Sequence, residues 1–133
     1  MYTVEYQTFE DMVHRALAAL PKSHRSSINN VAILIEDEPS LAQRYALNLR
    51  GDQTLFGLYE GVPLNARMGQ TKILPDKITL FQKPLEQASS SQAELQSRVA
   101  RTIWHEVAHY YGLNHTRIYE LEAEERRSKQ PEL

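Results

Sequence analysis

The chain has no cysteine. Disulfides, cysteine-ligated zinc and thiol nucleophiles are therefore excluded, and any metal chemistry must use histidine and carboxylates. There is no run of lysine and arginine either. A formal net charge of -2 and a pI near 6.2 argue against a nucleic-acid binder or a protein held on anionic membranes, both of which need clustered cations. No stretch approaches the ~18 apolar residues of a membrane helix. The start, Met1-Tyr2-Thr3-Val4-Glu5-Tyr6, lacks the basic segment and apolar core of a signal peptide. The expectation is a cytoplasmic protein with no nucleic-acid or membrane partner. Its 133 residues suffice for one domain, 1–133, whose core needs no staples.

What is present is concentrated near the end. His105-Glu106-Val107-Ala108-His109-Tyr110-Tyr111-Gly112-Leu113-Asn114-His115 reads as a zinc hydrolase site. Residues four apart share a helix face, so His105 and His109 can offer two imidazole nitrogens to one ion. Glu106, following the first histidine directly, is placed to act as general base in the manner of HExxH metalloproteases. Gly112 supplies the left-handed helix end that lets the chain reverse and bring His115 back as a third ligand. Three neutral ligands leave the fourth tetrahedral position open, which separates catalytic from structural zinc. A bare HExxH arises in roughly one or two shuffled chains per hundred, and the full pattern with Gly112 and His115 in about one in 10⁵. Without a third partner, two helical histidines are more often surface residues.

Around the motif, hydrophobic periodicity outlines an α+β chain. Thr8 with Asp11 is a cap for a first helix whose face is Phe9, Met12, Val13, Ala16, Leu17 and Leu20, stopped by Pro21. Val31 to Ile35 reads as a strand buried on both faces. Leu41 to Leu49 allows a helical turn or two within an irregular connection. The segment from Leu55 to Leu64, interrupted by Gly57, Gly61 and Pro63, suits an edge strand or extended loop. Lys77 to Gln82 alternates like a half-buried strand that Pro84 ends. Ser91 and Glu94 form a capping box for a long helix with the stripe Leu95, Val99, Ile103, Val107 and Tyr110, leaving His105 and His109 for a cleft wall. Thr116 to Arg127, rich in Glu and Arg, is expected to be a solvated terminal helix.

The motif resembles that of the zincin superfamily, and from about Phe9 to Leu121 the chain is similar to a bacterial family of very small single-domain zincins. The matching pieces are Ala18-Ala19-Leu20-Pro21, Glu36-Asp37-Glu38-Pro39 after its strand, Leu58 to Leu64, Ile78-Thr79-Leu80-Phe81, and His105 to His115. The resemblance implies a compact minimal zincin-like fold, with a small mixed sheet packed against the active-site helix and an N-terminal helix. It also implies a Zn2+ cofactor. In these relatives the position of His115 is often Asp, whereas His matches the longer metzincin pattern. The methionines, Met1, Met12 and Met68, all precede the motif, so no methionine turn follows it. A minimal zincin with a metzincin-like ligand set is the reading, and a gluzincin-like carboxylate from Glu120, Glu122, Glu124 or Glu125 is the competing third ligand.

The implied reaction is hydrolysis of a peptide or small unfolded protein, with Glu106 accepting the proton of zinc-activated water and passing it to the leaving amine. Tyr59, Tyr110, Tyr111 and Tyr119 are candidate oxyanion donors. The substrate can lie along the Gly57 to Pro63 edge, unless those glycines serve only a tight turn. Two alternatives to a peptidase are a regulatory or binding module that holds metal without turnover and a metal-stabilised structural domain. Neither needs a base at Glu106.

Overall fold

The structure, a computed structural model, describes residues 1–21, 31–61, 76–110, 120 and 123. Helix α1 (Tyr6–Ala18) buries Phe9, Met12, Val13 and Ala16, the stripe that its apolar spacing predicts. Its start differs from expectation. Glu5 is the N-cap residue and gives no side-chain cap, while Asp11 accepts instead from Gln7 Nε2 at 3.2 Å. The preceding segment is tied down from elsewhere: Glu86 receives Val4 N–H on its carboxylate at 2.8 Å and Tyr2 N–H on its backbone carbonyl at 3.1 Å. These tertiary bonds set where the helix begins, so Thr8 is not needed as a cap.

Three strands form one sheet in the order β1-β3-β2: β1 (Val31–Glu36), β2 (Gly57–Glu60) and β3 (Asp76–Phe81). β1 runs parallel to β3 with Ile33 opposite Ile78, and β2 runs antiparallel to it with Tyr59 opposite Ile78. The burial of β1 and β3 is the reverse of the sequence expectation. β1 is an outer strand, partly buried, with Leu34 38% exposed. β3 is the central strand, buried at every position but Lys77. A run of apolar residues reports hydrophobicity; which strand lies in the middle is decided by pairing.

Helix α2 (Leu41–Ala46) opens with a complete capping box, Ser40 with Gln43. Helix α3 (Gln82–Gln87) follows β3 directly and has Pro84 in its first turn, where the missing N–H would have no intrahelical partner anyway. Helix α4 (Gln92–Tyr110) is the long one. Ser91 Oγ accepts Glu94 N–H at 3.1 Å, but the expected reciprocal half of the box is absent. Glu94's carboxylate takes Ser90 Oγ at 2.9 Å and Arg98 at 3.1 Å, which together hold it below the usual carboxylate range, the serine bond contributing most.

The core lies between α1, α3, α4 and one face of the sheet. Phe9, Met12, Leu85, Leu95, Val99 and Ile103 surround Ile78 and Leu80, all fully buried, each worth about 1.5–3 kcal/mol on removal from water. Among the described residues no helix is long and apolar enough to cross a membrane. Glu120 and Ala123 are helical; the rest of the expected terminal helix lies outside the described residues, as do Val62, Pro63 and Leu64.

Candidate metal centre and active-site cleft

The helical period divides α4 into two faces. Leu95, Val99, Ile103, Val107 and Tyr110 enter the core, which turns Thr102, His105, Glu106 and His109 toward a cleft of about 850 Å³ whose opposite side is built from Leu47, Leu49 and Leu55 to Tyr59. The rings of His105 and His109 stand with centroids 5.0 Å apart at an interplanar angle of 68°. Both are partly exposed on the cleft wall, as the four-residue spacing requires. His115 and Gly112 lie outside the described residues. Among the described residues no group of three or more histidines and carboxylates gathers at one point, and of the competing acids only Glu120 is described, exposed and helical.

Glu106 sits deeper than either histidine, 7% exposed. Burial pushes its carboxyl up to about 7, opposed by the hydrogen bond that Tyr59 N–H donates to it. Its Oε2 is buried with no hydrogen-bond partner among the described residues. Buried polar atoms are rarely left so, because the missing bond costs roughly 1–3 kcal/mol. An unpaired acceptor beside two imidazoles fits a cation and its water well.

The edge strand places that carboxylate. Phe81 N–H bonds Phe56 C=O at 2.9 Å, so the register turns the backbone groups of Gly57 and Tyr59 away from β3, toward the edge of β2 that no described strand pairs with. Gly57 has a use other than the tight turn or close substrate approach read from sequence. A Cβ there would lie 2.7 Å from Thr102 Cγ2 and 3.3 Å from Glu106 Cγ, so the missing side chain is what lets α4 lie against β2. Tyr59 then packs edge-on to Tyr110, centroids 6.3 Å apart, and its hydroxyl donates to Asp76 Oδ2 at 2.6 Å. That bond places the Tyr59 hydroxyl on β3, away from the oxyanion role considered for it, and Tyr110 is 4% exposed, a packing residue. Tyr111 and Tyr119 are outside the described residues.

Sequence reasoning missed the backbone bond from Tyr59, since main-chain donors leave no mark on residue type, and the apolar wall at Leu47 and Leu55, whose residues show no period. Gly57, a glycine inside a strand-like run, was the available signal for the close approach.

In structure the chain is similar to a conserved hypothetical protein from Thermo thermophilus, with a TM-score of 0.55 and 19% identity over 80% of this chain and 92% of that one. At such identity the likeness speaks for the fold alone. No curated protein matches the sequence significantly. Residues 28–125 match the family described as zincin-like metallopeptidase, and on that span the chain belongs to it.

Proposed function

We propose that this zincin-like metallopeptidase hydrolyses peptide bonds, with His105, His109 and His115 holding zinc and Glu106 acting as general base. The observation that carries the proposal is the buried, half-satisfied carboxylate of Glu106 in the same cleft as two histidines that share one helix face. Zinc at this position supplies a Lewis acid that polarises the peptide carbonyl and acidifies water. Glu106 takes the proton released in the attack and gives it to the departing nitrogen. One carboxyl serves both steps, accepting the proton in the first and returning it in the second. Tyr59 N–H orients the carboxylate from β2, and the outward backbone of Gly57 offers an extended peptide a strand to pair with.

The test is Glu106→Gln, which keeps shape and removes the base. Zinc-loaded wild type is expected to cut members of a peptide library, and the variant to lose at least ~10² in rate while retaining about one equivalent of zinc. No cleavage by wild type, or equal cleavage by both, rejects the peptidase reading. His115→Ala is expected to weaken zinc binding strongly, and binding to fall as pH drops through ~6.5, where imidazoles protonate. Unchanged affinity in that variant would transfer the third-ligand role to the acids between Glu120 and Glu125.

A further inference from the structure

The cleft wall on α4 carries cations as well as histidines. Arg101 and Arg98 line it about one and two turns before His105 respectively, yet they differ in what they hold. Arg98 is bound to Glu94 at 3.1 Å. Arg101 is exposed and has no hydrogen bond or ion pair among the described residues. Its helical position puts it about 5–6 Å along the axis from His105. The facing wall at this end is apolar, with Leu55 and with Phe56 37% exposed. A net charge of -2 gives the whole chain no attraction for anions, so any preference for them must be local.

The direction in which a substrate would pass follows from the packing. Gly57 lies against Thr102 and Tyr59 against Tyr110, so β2 and α4 run in the same sense. A peptide paired antiparallel to the edge of β2 that no described strand occupies, the slightly more stable arrangement, runs opposite to α4. Its C-terminal half therefore passes Arg101. An extended chain advances about 3.3 Å per residue, which brings a group about two residues beyond the cleaved bond to the guanidinium.

We infer that Arg101 determines specificity by selecting peptides with a carboxylate on the C-terminal side of the cleaved bond, accompanied by a bulky apolar side chain that rests on Leu55 and Phe56. The inference rests on the peptidase reading above. The carboxylate comes from an Asp or Glu side chain or from the peptide's own C terminus, and both present the paired oxygens that a guanidinium binds.

The test uses the zinc-loaded full chain. Bonds cut in a library of free peptides are mapped by mass spectrometry, and the expected profile is enriched in Asp, Glu or the chain terminus within about three residues after the cut, the reach set by strand geometry. Matched peptides with Glu or Gln at that place, each with a free or an amidated terminus, identify which source is read. The favoured carboxylate is expected to raise kcat/KM about fivefold over its neutral partner, a ratio that shrinks with salt. In Arg101→Ala the ratio falls to near unity, and in Arg101→Glu it reverses in favour of a Lys peptide, a gain that a merely unfolded variant does not show. Cleavage without carboxylate preference, or a preference that Arg101→Glu leaves unchanged, overturns the inference and leaves the peptidase reading standing. If nothing is cleaved, the peptidase reading fails by itself. The inference is then decided by fluorescence anisotropy of the same labelled peptides on zinc-loaded Glu106→Gln with and without Arg101→Glu, where equal affinities overturn it.

Discussion

Among the described residues two glutamates are buried to nearly the same degree, Glu86 at 4% exposed and Glu106 at 7%, and they are treated in opposite ways. Glu86, on α3, has its buried carboxylate engaged: Oε2 accepts Val4 N–H at 2.8 Å and Gln82 Nε2 at 3.2 Å, and Gln82 also donates to Val4 C=O at 3.1 Å. Glu106, on α4, has one donor from Tyr59 and a bare oxygen. The first carboxylate fastens the N-terminal segment to α3. The second is left short of partners, which destabilises the metal-free fold and keeps an acceptor ready for a proton.

The largest effect that sharpens this contrast is on turnover. Glu106→Gln is expected to lose at least ~10² in peptide hydrolysis while Glu86→Gln keeps the wild-type rate, both measured on the same peptides. A comparable loss in Glu86→Gln would show that the two carboxylates are not separate in function.

Stability should separate them in the other direction. The folded carboxyl of Glu106 is raised from 4.5 to about 7, so between those values the native protein holds a proton that the unfolded chain has released. Stability of the metal-free protein therefore falls as pH rises through that window and is level above it. Glu106→Gln removes the effect, and its stability relative to wild type is expected to grow by about 3 kcal/mol between about pH 4 and pH 8. Denaturant melts in chelator at the two pH values measure it, and a constant difference would mean that burial does not raise this carboxyl. Glu86→Ala is expected to cost about 1–3 kcal/mol, because Val4 N–H and Gln82 Nε2 lose their acceptor inside the protein. An unchanged melting midpoint would show that the N-terminal segment needs no fastening.

Gly57→Ala probes the strand that holds Glu106. The added methyl meets Thr102 and the Glu106 side chain, so β2 and α4 must part, at a cost of about 1–3 kcal/mol. Turnover should fall with it, since Tyr59 N–H moves away from the carboxylate. Wild-type stability and rate in this variant would mean that the contact gives way freely.

The parts legible in sequence share one property: they depend on spacing along a single element. The stripe Phe9, Met12, Val13 and Ala16 and the stripe Leu95, Val99, Ile103 and Val107 both enter the core, and the cleft face of α4 follows from the second by subtraction. Thr8 failed as a cap because Glu86, nearly eighty positions away, secures the chain before α1. Val31 to Ile35 failed as a strand buried on both faces because hydrophobicity does not encode neighbours, and β3, with Thr79 and Asp76 among its buried residues, took the middle.

Residue type and helical period alone determined that His105 and His109 face one way and that Glu106 accompanies them, since 3.6 residues per turn leaves no other arrangement on a helix. Tertiary structure alone decided how deep Glu106 lies, that a backbone N–H of Tyr59 reaches it, and that Gly57 is the position where strand and helix nearly touch. Those are properties of elements distant in sequence brought within van der Waals range. Burial and hydrogen bonding exist only once that packing has formed.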